Sequence, residues 1–140
     1  MIETNLKRFI DAQDKVWSDV LRELSQGQKT SHWIWFVFPQ LASLGRSHTA
    51  QRYGISGLNE AAEYLGNDIL RNRLREACSM LLKHEGRDAT DILGNLDAMK
   101  LRSSMTLFSH IPGAPEEIHD VLRKFYGGKP CRFTSIELAS

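Results

Sequence analysis

Three side chains stand out as able to move protons: His32, Asp97 and Lys100. Histidine alone titrates near neutral pH without help from its surroundings, so His32 is the expected general acid or base. Asp97 can orient a base or accept a bond from a ribose hydroxyl. Lys100 lies one helical turn before Ser104, the spacing at which an amine can activate a serine nucleophile; hydroxyls satisfying the inside of a helix packing explain the same pair more simply. The run Leu44-Gly45-Arg46-Ser47-His48 gathers backbone amides, a guanidinium and a hydroxyl, the ingredients for holding a phosphate or carboxylate. It lacks the glycine spacing of a Walker or dinucleotide motif, and a solvated loop with a surface arginine is the plainer alternative. Trp33 and Trp35 offer flat faces for a planar ring. Gln40, Ser103 and Ser104 extend the candidate binding set, with Ser47 beside Arg46.

No metal or cofactor is expected. The histidines at 32, 48, 84, 110 and 119 form no His-x-x-x-His pair, and Cys78 and Cys131 no Cys-x-x-Cys pair. Both cysteines read as free thiols, with Cys78 on the apolar face of a helix.

The elements that must position these groups centre on residues 31–47, where Trp33, Trp35, Phe36 and Phe38 fall within six positions. So much aromatic surface belongs to a core or a pocket wall. Aromatic and β-branched content favours a strand over 33–38. No other segment supplies a partner for it, so a short helix is expected, capped by Ser31 and stopped at Phe38 by Pro39.

Before this segment, Leu6, Phe9, Ile10, Val16, Trp17, Val20, Leu21 and Leu24 recur at helical steps, predicting a helix over 5–26 with Thr4 or Asn5 as cap and Gly27 as its end. Gln13 interrupts that stripe; its amide must bond to backbone carbonyls or to a ligand. After it, 40–57 reads as an extended loop, and loops of that length are usually functional. Helices are then expected at 57–65, at 68–84 with Asn67 as cap and Gly86 as end, at 88–94, at 96–110, and from Pro115 to Tyr126. A final short helix is predicted from a capping box of Thr134 and Glu137, with Phe133 and Leu138 as its staple. The 96–110 helix carries Lys100, Ser103, Ser104 and Leu107 on one side and Ala98, Leu101, Met105 and Phe108 on the other. Hydroxyls are poor helix material, and a chain tolerates them where they have a task.

The whole of 1–140 is therefore expected to be one mainly α domain, a bundle of about six to eight helices around the aromatic segment. With 18 basic and 17 acidic side chains mixed along the length, no footprint for nucleic acid is expected. The longest apolar run is far short of the ~20 residues that cross a bilayer, and the N-terminus lacks the pattern of a signal peptide. A cytoplasmic protein without membrane partners is the expectation.

The strings Lys29-x-Ser31-His32-Trp33-Ile34-Trp35-Phe36-Val37-Phe38-Pro39-Gln40, Leu44-Gly45-Arg46-Ser47, Glu60-Ala61-Ala62-Glu63-Tyr64-Leu65 and Asp97-x-x-Lys100-Leu101-x-Ser103-Ser104-Met105-Thr106-Leu107-Phe108, with Leu6-Lys7-Arg8-Phe9 and Ala12-Gln13 before them, closely resemble the bacterial family called domain of unknown function 1810. The resemblance runs from about residue 5 to 138 and implies a single, mainly helical domain with no established activity. Ala42-Ser43 departs from the family pattern where a glycine-containing turn is expected. The order of features is also similar to that of NADAR-type proteins, which act on ADP-ribose derivatives. That likeness implies a nucleotide or ADP-ribose-like ligand and, if there is turnover, hydrolysis of an N-glycosyl or ADP-ribosyl compound. It transfers no catalytic residue.

Two functions follow as expectations. One is a small-molecule-binding domain whose cleft is lined by the Trp, His, Arg and Ser residues above, with a phosphate-containing ligand held by Arg46 and Lys100. The other is a protein-interaction module anchored by the aromatic stretch 32–40.

Overall fold

A computed structural model of the chain describes residues 5–139. These residues form nine α-helices: α1 (Lys7–Gln26), α2 (Ile34–Val37), α3 (His48–Arg52), α4 (Leu58–Gly66), α5 (Asp68–Leu82), α6 (Ala89–Leu93), α7 (Asn95–Ser109), α8 (Glu116–Tyr126) and α9 (Arg132–Ala139). Among the described residues none is long and apolar enough to cross a membrane. The expected all-α architecture around an aromatic segment is what the chain adopts.

α7 is the central element, packed by α2, α4, α6, α8 and α9, while α5 lies between α1 and α8. From Ser103 to Phe108 every residue of α7 is buried. The two-sided reading of this helix is therefore corrected over its C-terminal half, which other helices enclose on every side, while its first turns keep Leu96 and Met99 exposed. Apart from Ser104, its hydroxyls bond locally or hold the C-terminal segment. Thr106 Oγ1 donates to the Arg102 carbonyl at 2.8 Å and accepts from the backbone N–H of Cys131 at 2.8 Å.

The aromatic segment is helical over one turn only. Ser31 is not its cap: Trp33 occupies that position with no side-chain capping bond, and the Ser31 hydroxyl donates instead to Glu23 at 2.7 Å. Trp33, Ile34, Val37 and Phe38 enter the core. There Phe9, Tyr64 and Phe108 form a chain of ring contacts, with Phe9 and Tyr64 edge-on at 5.2 Å. Gln13 sits among these rings with 1% exposure; its Nε2 donates to the Phe36 carbonyl at 2.7 Å and to the Tyr64 hydroxyl at 3.1 Å.

The stretch 40–57 is more ordered than an extended loop. A 3₁₀ turn at Ala42–Leu44 leads to α3, which Ser47 caps by accepting from the Ala50 N–H, and a parallel bridge joins Leu41 to Ile55. The closure depends on Gly54, where a Cβ would stand 2.4 Å from Ala42 Cα.

Three helix ends also differ from expectation. Leu6 precedes α1 without a side-chain cap; Asn5 forms none, and Thr4 lies outside the described residues. α5 ends at Leu82, four residues before Gly86. α9 begins at Arg132, which makes Thr134 an interior, wholly buried residue and removes the Thr134–Glu137 box; Phe133 is exposed rather than stapled. The capping box that does form joins Asp88 and Asp91 at α6. Gly27 and Asn67 perform as expected, Gly27 in the left-handed region at φ 73° and Asn67 accepting from the Leu70 N–H.

Candidate functional site

The site begins at a residue that pattern reading passes over. Glu23 lies on the core side of the last turn of α1, 1% exposed. Its carboxylate accepts from the backbone N–H groups of Thr30 (2.7 Å) and Ser31 (2.9 Å), the Ser31 hydroxyl and the Trp33 indole. Burial pushes its pKa up, but the bonds from Ser31, Thr30 and Trp33 outweigh it and hold the carboxyl at about 2. The charge thereby pins residues 30–33 against α1 and sets the direction of Lys29 and His32. A sequence signal existed, a glutamate next to a Gly-terminated helix end followed by a donor-rich run, but only the fold turns that run back.

Lys29 is almost fully buried at its side chain and reaches the first turn of α7. Its ammonium lies 2.7 Å from Asp97 Oδ2, donates to the Ser31 carbonyl at 2.5 Å and stands 5.0 Å from the Trp33 ring centroid. The other Asp97 oxygen faces Lys100 Nζ at 3.4 Å, and that ammonium sits 4.1 Å from the centroid of Trp35. Two lysines thus flank one carboxylate, each also placed over an indole. Lys100 is held by these partners, and among the described residues no bond joins it to Ser104, whose buried hydroxyl has no partner there.

Two cavities open on this array. One, of about 550 Å³, is bounded by the 40–46 segment, α7 and α9, and includes Gln40, Arg46, Lys100, Ser103 and Cys131. The other, of about 500 Å³, includes Lys29, Thr30, His32, Asn95, Asp97 and Lys100. They share Lys100 and Leu96.

Of the residues singled out from sequence, Gln40, Arg46, Lys100 and Ser103 meet in the first cavity, and His32, Asp97 and Lys100 in the second. Trp35 lies under Lys100. Gln13, Trp33 and Ser104 are in the core, and Ser47 is engaged in capping α3. Sequence reasoning missed Glu23, Lys29 and Cys131. The Cys131 thiol receives the Ser103 hydroxyl at 3.3 Å. Burial pushes this thiol up, but Ser103 and the first-turn groups of α9 at Thr134 and Phe133 together hold it below the ordinary thiol value.

By sequence, residues 3–138 match the family described as "Protein of unknown function (DUF1810)". The chain belongs to the DUF1810 family. The fold of this DUF1810 protein is similar to the crystal structure of the conserved hypothetical protein Rv1873 from Mycobacterium tuberculosis, at 46% identity over 97% of each chain and a TM-score of 0.94. No curated protein matches the chain.

Proposed function

We propose that this DUF1810 protein binds an anionic small molecule, of nucleotide or ADP-ribose type, at the two cavities that share Lys100 and Leu96. The observation that carries the reading is the placement of Lys100: its ammonium stands between Asp97 and the Trp35 ring on the boundary of both cavities, with Arg46 lining one of them. Among the described residues Arg46 has no carboxylate partner, so its charge is available to a phosphate. Asp97, with both oxygens engaged by lysines, retains lone pairs for a sugar hydroxyl. If the ligand is turned over, His32 at the rim of the second cavity is the proton-transfer group and the reaction is hydrolysis of an N-glycosyl or ADP-ribosyl bond. A role as an interaction module is less supported, because Trp33 and Phe38 are spent in the core. Two free cysteines suit a cytoplasmic setting.

A thermal-shift screen against nucleotides, ADP-ribose, NAD and sugar phosphates tests the reading, repeated on Arg46→Ala and His32→Ala. Ligand at a hundred times its Kd adds about 2.7 kcal/mol of stability. A shift in the wild type that shrinks in Arg46→Ala supports the site; no shift with any compound overturns it.

A further inference from the structure

The first cavity is rimmed by more apolar surface than a sugar phosphate can use. Six large hydrophobic side chains are exposed among the described residues, and four of them line this one cavity: Leu96 at 71%, Met99 at 63%, Phe133 at 67% and Ile136 at 53%. They come as two pairs spaced three residues apart, one on the first turns of α7 and one on α9, so the two helices present facing apolar edges. Single exposed hydrophobics are ordinary; four around one opening mark a binding surface.

The same walls carry Arg46, Lys100, Arg102 and Arg132 against one acid, Glu137. Arg102 is committed, donating to the Lys129 carbonyl at 2.9 Å and lying over Tyr126. Arg46 and Arg132 have no carboxylate partner among the described residues. A neutral apolar molecule would cover the hydrophobic edges and leave these charges unanswered; a small hydrophilic anion would do the reverse.

We infer that the ligand of this cavity is an amphiphilic anion, a single molecule with an acyl chain or flat apolar ring system joined to a phosphate or carboxylate. The apolar body lies between Leu96, Met99 and Phe133, and the anionic end meets Arg46, Lys100 and Arg132. A volume of about 550 Å³ is that of a small-molecule site. The inference rests on the proposed anion site for its charged end and adds the apolar end.

The test compares affinities, by NMR titration of the labelled protein, for inorganic phosphate, glucose 6-phosphate, AMP, octyl phosphate below its micelle concentration, 1-naphthyl phosphate and octanol. Each fully buried methylene adds about fourfold to affinity, so octyl or naphthyl phosphate is expected to bind at least ~10-fold tighter than inorganic phosphate. Which of the two wins separates a chain from a ring. The doubly exposed Met99→Gln/Phe133→Ser variant, checked by circular dichroism, should bring that affinity down to the inorganic phosphate value. Equal binding of all phosphates overturns the inference and leaves the anion site standing. Equal binding of octanol and octyl phosphate overturns it at the charged end. If AMP and glucose 6-phosphate fail while octyl phosphate binds through Arg46, the nucleotide reading falls and the amphiphile stands.

Discussion

The indole Nε1 of Trp33 donates to Oε1 of Glu23 at 3.1 Å, with both side chains withdrawn from solvent. This bond ties the aromatic segment to α1 through a charge rather than through apolar contact alone. Because the Glu23 carboxyl is held at about 2 from an ordinary 4.5, its stabilising contribution is present above the ordinary value and is lost as pH falls toward 2. The contribution is on the order of 3 kcal/mol. Urea denaturation of wild type and Glu23→Gln over this range should show the variant less stable at neutral pH and the two curves converging near pH 2. Parallel curves would place the acid sensitivity elsewhere.

Gln13 is the second polar group that the core requires. Gln13→Leu leaves the Phe36 carbonyl without its donor and removes the amide next to the Tyr64 hydroxyl. A loss of about 1–3 kcal/mol is expected from the unpaired groups. An unchanged denaturation midpoint would mean that leucine packing among Phe9, Tyr64 and Phe108 fully offsets them.

The two thiols should behave oppositely. Cys78 is wholly buried beside Met105 and burial pushes its thiol up, whereas half-buried Cys131 opens on a cavity and lies below the ordinary 9.0. Iodoacetamide should therefore give one adduct on the native protein, mapped by mass spectrometry to Cys131. The midpoint of its rate against pH should fall below the ordinary thiol value and rise in Ser103→Ala, which loses a donor to the thiolate. A midpoint insensitive to that substitution would assign the shift to Thr134 and Phe133 in the first turn of α9.

Gly54→Ala probes the closure of the 40–57 segment. Its Cβ would meet Ala42 Cα at 2.4 Å and the Ala50 carbonyl at 2.8 Å, both backbone atoms that cannot turn aside. A destabilisation of about 1–3 kcal/mol follows from overpacking, with Arg46 displaced from the cavity. Calorimetry reads the first effect, and the ligand-induced thermal shift reads the second.

Much of the helical framework was legible because it depends on local periodicity. The stripe of α1, the Gly27 turn, the Asn67 cap and the absence of any strand partner for 33–38 need no knowledge of distant residues. The final helix was legible in existence but not in its start. Thr134 and Glu137 have capping-box spacing, yet Thr134 is wholly buried, and Thr106 of α7 draws the Cys131 amide in so that α9 starts earlier.

The sequence by itself determined the kinds of side chain available for binding, an all-α scaffold and an aromatic segment that had to be buried. Tertiary structure decided which of those side chains share a site. Asp97, Lys100 and His32 meet because Glu23 folds the 28–33 link back toward α7, and Arg46 joins Lys100 because Gly54 permits the 40–55 segment to close. Both are contacts across many residues. Their energies come from burial and long-range hydrogen bonds, which no window of local sequence contains.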